Sequence, residues 1–320
     1  MTEPTTPRRM VKALVRGEAP SRPLLAPIIF SLGARLENVA FNDFLRNPTK
    51  IANAMRQVRR GLKVDAVTCY WDPLLEAEAL GCKVAETTDG GRSLSGVAFS
   101  DVDDLRAKVG DLEAVATKGR VPLVVDVLRR LKTMLPGEPA LMVRVTGPYT
   151  LASQLAGSEQ LWPGIVEFTA EIVTKLASTL AEAGADVVLI AEETLPEITT
   201  DLCDQWSGLL STVVNVVRFY DALPVLLLNS PFFSSQSLAT VLGRDWGCVV
   251  CAAGCEGTKA PGPFAVVLPD FEEGIAQRVT GSLSDRPALV TTLADLSPSV
   301  DFKQLATAVD AVAGVLRTAA

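Results

Sequence analysis

Histidine is absent from all 320 residues. The side chain whose ordinary pKa lies nearest neutrality, and the commonest metal-binding one, therefore plays no part in this protein. Ser-His-Asp and Cys-His nucleophilic systems, His-containing zinc sites and His-ligated haem are excluded. Proton transfer must come from Asp, Glu, Tyr, Lys or Cys. Long apolar runs are absent too: nothing approaches the roughly 20 residues that a membrane span needs, and residues 1–9 are polar, without the apolar core of a signal peptide. The expectation is a soluble cytoplasmic protein that does not enter a membrane. Positive charge is also in deficit, with 30 Lys and Arg against 37 Asp and Glu. A net charge of −7 argues against a nucleic-acid partner and is compatible with a homodimer. No G-x-G-x-x-G or Walker A pattern opens a helix, which argues against a nucleotide-binding open sheet.

Six cysteines are present. In a cytoplasmic chain they are expected to be reduced and buried. Cys248, Cys251 and Cys255 are close in sequence, but no fourth cysteine follows nearby and no histidine completes a set. Cys248 and Cys251 also lie three apart in a strand-like run, which points them to opposite faces. No metal is expected there.

Hydrophobic residues make up 48% of the chain, enough for a sizeable core, and they fall into short runs. Eight near-continuous apolar runs, at 24–30, 66–70, 141–146, 186–191, 224–229, 248–251, 264–268 and 288–292, read as parallel strands covered on both faces. Helical patterns at 48–61, 121–135, 162–183, 202–222, 234–243, 271–281 and 302–318 alternate with them. This alternation predicts an α/β fold, a (β/α)8 TIM barrel. Residues 81–119, rich in Gly, Asp, Thr and Ser, interrupt it between the second and third strands. They predict an insertion over the barrel mouth with a short helix near 102–109. One domain over residues 1–320 is expected.

In such a barrel the chemistry sits at the C-terminal ends of the strands. Those ends carry Ser31 and Arg35, Tyr70 and Asp72, Thr146 and Tyr149, Glu192 and Glu193, Asn229, Cys251, Asp270 and Asp295. The carboxylates dominate. Asp72, Glu192 and Glu193 on one mouth would raise a pKa by like-charge repulsion, giving an acid near neutrality. The rival for Asp72, just before Pro73, is a helix cap. Glu192 and Glu193 are adjacent, so alternation points one inward and the other outward. Arg35 and Arg144 are candidate carboxylate clamps. Arg144 lies within a strand and either points into the barrel or pairs with a buried acid. The turn Gly147-Pro148-Tyr149-Thr150 leads from strand to helix, where backbone N–H groups gather.

These residues resemble the uroporphyrinogen decarboxylase superfamily. The similar stretches are Val64-Asp65-Ala66-Val67-Thr68-Cys69-Tyr70-Trp71-Asp72 with Glu78-Ala79-Leu80-Gly81; Thr146-Gly147-Pro148-Tyr149-Thr150-Leu151-Ala152-Ser153-Gln154; Ala183-Gly184-Ala185-Asp186 leading to Glu192-Glu193; and Ala294-Asp295-Leu296-Ser297-Pro298. The resemblance implies a TIM barrel and three activities: tetrapyrrole decarboxylation, corrinoid-dependent methyl transfer and related folate-dependent chemistry. It assigns Asp72 to the aspartate that binds pyrrole N–H groups. Gln154 stands where the family has a tyrosine, and Glu193 where it has a serine. Of two arginines after the first strand only Arg35 remains. Thiol-methylating members hold zinc with His-x-Cys after strand five and Cys after strand eight. Here those places read Leu228-Asn229-Ser230 and Thr292-Leu293-Ala294-Asp295.

The resemblance therefore implies a zinc-independent methyltransferase. Its partner is a corrinoid (cobalamin) protein, and its small-molecule substrate is of the tetrahydrofolate or amine type. The alternatives are a tetrapyrrole decarboxylase and a non-catalytic barrel that binds a tetrapyrrole ligand. The expected catalytic residues are Asp72, Glu192 and Glu193. Arg35, Tyr70, Tyr149, Gln154, Asn229 and Asp295 are expected to bind substrate.

Overall fold

The computed structural model describes residues 6–318 apart from positions 89, 97, 138, 158–160, 232–233, 254–261, 269–270, 272–274 and 284–286. Its strands are β1 (Leu24–Leu25), β2 (Ala66–Tyr70), β3 (Val84–Glu86), β4 (Arg92–Leu94), β5 (Ala140–Thr146), β6 (Val187–Glu192), β7 (Leu223–Leu228), β8 (Val249–Ala252), β9 (Ala265–Val267) and β10 (Leu289–Thr291). All but β3 and β4 are parallel, in the orders β2-β5-β6-β7-β8 and β1-β10-β9. A parallel bridge between Val250 and Phe264 joins β8 to β9. The amide of Asp65 donates to Leu25 O at 2.8 Å, and the Leu25 amide donates to the Asp65 carboxylate at 2.8 Å, joining β2 to β1. The sheet thus closes into the expected (β/α)8 barrel.

Helices α1 (Pro7–Val15), α2 (Leu32–Leu36), α3 (Phe41–Phe44), α4 (Pro48–Leu62) and α5 (Leu75–Ala79) belong to the first part of the chain. The insertion at 81–119 contains the antiparallel β3–β4 hairpin, α6 (Val102–Val109) and α7 (Leu112–Val115). Then come α8 (Val121–Met134), α9 (Pro148–Ala156), α10 (Ile165–Glu182), α11 (Thr200–Phe219), α12 (Ser235–Leu242), α13 (Ile275–Ser282) and α14 (Phe302–Thr318). No described helix is long and apolar enough to cross a membrane.

The local causes are legible. In α4, Asn47 accepts from the Lys50 amide at 3.0 Å and Pro48 opens the first turn, while Ile51, Met55, Val58 and Leu62 form one buried stripe. Strands β5, β6 and β7 are buried along their whole length, as both-face cover requires. Burying each large apolar side chain contributes about 1.5–3 kcal/mol, so such strands dominate the stability of the barrel.

The first strand departs from expectation. An apolar run extends from 24 to 30, yet only Leu24–Leu25 pair as a strand. Beyond Ala26, whose N–H still donates to Val290 O at 2.9 Å, side chains replace the ladder: Ile28 N–H donates to Thr292 Oγ1 at 3.1 Å, Ile29 N–H to Thr68 Oγ1 at 3.3 Å, and Phe30 N–H to Asp295 Oδ1 at 2.7 Å. Buried amides must find acceptors, and hydroxyls and a carboxylate supply them. The five described cysteines are buried, and burial pushes the Cys248 thiol up to about 12. Cys255 and Asp270 lie outside the described residues.

Candidate active site

Glu192 ends β6 and is fully buried. Its Oε1 accepts from Tyr149 N–H at 3.1 Å, and its Oε2 accepts from Thr150 N–H and Thr150 Oγ1, both at 2.8 Å. The carboxylate therefore satisfies the N-terminus of α9 and meets its positive dipole end. The glycine of the Gly-Pro turn is explained by this contact. A Cβ on Gly147 would lie 2.3 Å from Glu192 Cδ, so the turn can approach the carboxylate only without a side chain. Burial raises the Glu192 carboxyl to about 7, against the lowering effect of the Thr150 and Tyr149 donors. The expected near-neutral acid is present, but its cause is desolvation, not repulsion between like charges. Tyr149 is itself buried, and its hydroxyl is pushed up to about 12 by desolvation and by the charges of Glu192 and Glu167.

The neighbouring glutamate diverges. Glu193 Oε2 lies 2.9 Å from Arg144 Nη2, and the Glu193 side chain is 27% exposed. Its amide donates to Thr150 Oγ1 at 2.7 Å. Arg144 is buried on β5, gives Nη1 to Thr146 Oγ1 at 2.9 Å, and lies with its guanidinium carbon 5.3 Å from the centroid of the Trp71 ring. Glu76, on α5, completes this group. Its two oxygens accept from Thr146 N–H at 2.9 Å and Thr146 Oγ1 at 2.6 Å, and burial raises its pKa, opposed by Arg144 and Thr146.

Asp72 is buried after β2. Its Oδ1 accepts from Leu74 N–H at 3.1 Å in the turn before α5, while Oδ2 accepts from both Arg92 and Arg120. Arg92 comes from β4 of the insertion, and Arg120 immediately precedes α8. Both arginines also bind Glu78: Arg92 Nη2 at 2.8 Å, and Arg120 through Nε at 3.0 Å and Nη2 at 2.5 Å. Against the cost of burial, these partners hold the Glu78 carboxyl below its ordinary value. Tyr70 is enclosed by the same cluster, donating to Leu45 O at 2.8 Å and accepting from Arg120 Nη1 at 2.5 Å. A two-by-two pairing of arginines and carboxylates thus fixes the insertion to the barrel mouth.

Asp295 has a comparable task. Its oxygens accept from Phe30 N–H at 2.7 Å and Ser31 N–H at 2.8 Å, and burial raises its carboxyl to about 6 against those donors. Gln154 gives Nε2 to Pro73 O at 3.0 Å, while its buried Oε1 has no hydrogen-bond partner among the described residues. Arg35 is exposed, with Nη2 on Val300 O at 2.6 Å. It lines a cavity of about 760 Å³ together with Ser31, Asn38, Phe41, Gly90 and Ser299. Asn229 is exposed just beyond β7, and its backbone N–H donates to Glu192 O at 2.9 Å.

The expected residues all lie at strand C-terminal ends or in the segments that follow, but of them only Arg35 lines the cavity described, and their condition differs. Asp72, Glu192 and Asp295 spend their oxygens on loops and arginines. Arg35, Glu193 and Asn229 retain exposure. Sequence reasoning missed Glu76, Arg92 and Arg120 and gave Glu78 no role. Glu76 and Glu78 stand within the first helix after the second strand, where acids near a strand end were a usable signal. Arg92 carried none toward Glu78 and Asp72, which lie 14 and 20 positions away in sequence.

The family model for uroporphyrinogen decarboxylase (URO-D) matches residues 5–214. The chain belongs to the URO-D family. Among solved structures, a methyltransferase from Methanosarcina mazei superposes with a TM-score of 0.80 at 17% identity, covering 97% of this chain and 99% of that one. A B12-independent methionine synthase from Shewanella sp. W3-18-1, in complex with selenomethionine, superposes with a TM-score of 0.50 at 13% identity, covering 84% of this chain and 88% of that one. In sequence, the methylated-thiol–coenzyme M methyltransferase of Methanosarcina mazei is 23% identical over 139 residues, 40% of this chain. That match spans 37% of the relative's own length. Within the URO-D family, this chain does not fit the zinc set of thiol-methylating members. Of the two His-x-Cys ligand positions, Leu228 offers no ligand atom and Ser230 gives its hydroxyl to Leu195 O at 2.8 Å, while both oxygens of Asp295 are held by Phe30 and Ser31.

Proposed function

We propose that this URO-D family chain is a methyltransferase that moves a methyl group between a corrinoid (cobalamin) protein and a folate-type or amine substrate, without zinc. The state of Asp72 carries this reading. The family gives that carboxylate to the pyrrole N–H groups of a tetrapyrrole, whereas here Arg92, Arg120 and Leu74 N–H occupy it. Removing a partner from such a buried pair costs roughly 3–5 kcal/mol, which disfavours tetrapyrrole decarboxylation. The two Methanosarcina mazei relatives are named methyltransferases, which supports the same choice.

When docked, the corrinoid supplies or accepts the methyl group. The rest falls to this chain. Arg35, Ser31 and Asn38 line a cavity beside β1 that includes neither Glu193 nor Asn229. Glu193, at the end of β6, gives or takes the proton at a substrate nitrogen, and the Asn229 amide, at the adjoining end of β7, accepts or donates beside it. Glu192, Asp72 and Asp295 position the α9 turn, the insertion and the segment after β1.

The test mixes the protein with methylcobalamin and tetrahydrofolate or dimethylamine, following cobalamin absorbance and the mass of the product. Methylated product is expected, formed about 10²-fold more slowly by Glu193→Gln, the usual size of an acid–base contribution. Decarboxylation of uroporphyrinogen without methyl transfer would replace this reading with the carboxy-lyase. Tetrapyrrole binding without either turnover would replace it with the non-catalytic barrel.

A further inference from the structure

We propose that the Nε–Nη2 edge of Arg144 is a binding site for a ligand carboxylate, and that Glu193 covers it until such a ligand arrives. A guanidinium presents parallel N–H bonds along this edge, the arrangement that matches the two oxygens of a carboxylate. In this chain the opposite end of the group is the one in use, with Nη1 on Thr146 Oγ1 at 2.9 Å. Nε and Nη2 are both buried and have no hydrogen-bond partner among the described residues. Arg144 is only 3% exposed, so bulk solvent does not reach these donors.

The neighbouring acids divide the work unequally. Both oxygens of Glu76 are held by Thr146 N–H and Thr146 Oγ1. Glu193 places Oε2 2.9 Å from Nη2 without the alignment of a hydrogen bond. At 27% exposure the Glu193 side chain has a route outward that Glu76 lacks. A ligand carboxylate that replaced the Glu193 carboxylate would leave the charge around Arg144 unchanged and would engage both idle donors. Trp71, beneath the guanidinium at 5.3 Å, gives the site a flat wall and favours a planar acid. The exchange also frees Glu193 to face the mouth. The assignment goes beyond methyl transfer, because its test is equilibrium binding and involves no corrinoid.

The probe is benzoate, with benzyl alcohol as the uncharged control, titrated calorimetrically into wild type, Glu193→Ala and Glu193→Ala/Arg144→Lys. Circular dichroism verifies the fold of each. Glu193→Ala should bind benzoate on the order of tenfold more tightly than wild type, the usual worth of a hydrogen bond to a charged group. The Arg144→Lys partner keeps the charge but loses the planar fork, and should abolish that gain. Benzyl alcohol should bind none of the three. No gain in Glu193→Ala, or a gain that survives Arg144→Lys, would overturn the proposal and leave Arg144 serving Glu76 and Glu193 alone. Should either variant fail to fold, wild type decides. Benzoate should then produce a saturable change in tryptophan fluorescence that disappears in Trp71→Phe, and its absence in wild type would be equally fatal.

Discussion

Replacing Glu192 with glutamine is the sharpest test of how the barrel mouth is held. The two side chains have nearly the same shape, but glutamine has one acceptor oxygen where Glu192 uses two. With its oxygen on Thr150, its amide group must face Tyr149 N–H, donor against donor. A buried donor left unsatisfied costs about 1–3 kcal/mol. The pH dependence separates this from a generic loss. The Glu192 carboxyl is raised from an ordinary 4.5 to about 7, chiefly by burial. The native state therefore holds this proton more tightly than the unfolded chain. The stability it contributes is fully present below about pH 4.5 and is lost as pH rises through about 7, in total roughly 3 kcal/mol. Glutamine exchanges no proton and lacks this decline. The gap between the two proteins should then be widest near pH 5 and shrink, or change sign, by pH 8. Asp295, Glu76 and Asp186 are raised as well, but their slopes belong to both proteins and cancel in the difference. Urea unfolding at pH 5, 6, 7 and 8 gives the comparison. A gap of constant size across that range would refute the reasoning, because Glu192 would then titrate alike in folded and unfolded chains.

Gly147→Ala should destabilise the protein by about 1–3 kcal/mol through overpacking against Glu192. Combined with Glu192→Ala the two losses should be less than additive, since the second change removes the obstacle; strict additivity in a double-mutant cycle of urea midpoints would contradict the contact. Arg120→Met should cost roughly 3–5 kcal/mol by leaving Asp72 and Glu78 short of positive charge. It should also raise hydrogen exchange in the β3–β4 hairpin, because Arg92 is then the remaining arginine of that cluster; unchanged exchange there would show that the hairpin is held by other contacts.

Most of the architecture is legible in the amino-acid sequence. Apolar runs such as 141–146 and 186–191 are buried on both faces, a demand that parallel strands impose on composition directly. The insertion announced itself by breaking the alternation, and α6 appeared where the pattern placed it. The first strand was overestimated, because hydrophobicity records burial and not hydrogen-bond partners. Residues 26–30 are buried, yet several of their amides use Thr292, Thr68 and Asp295 in place of a neighbouring strand.

The condition of each site residue was not readable. Sequence placed Asp72, Glu192, Glu193 and Asp295 at strand ends, which the register of a barrel guarantees. It could not say which carboxylates were already occupied, since the partners of Asp72 at 92 and 120, of Glu192 at 149 and 150, and of Asp295 at 30 and 31 meet them only when the barrel closes. Periodicity is local and is written in neighbouring residues. Charge pairing and desolvation depend on distances across the closed mouth. The sequence by itself determined the barrel, its insertion and the absence of imidazole chemistry. Only the tertiary structure decided that three of the acids are anchors, and that Arg144 keeps one edge unspent.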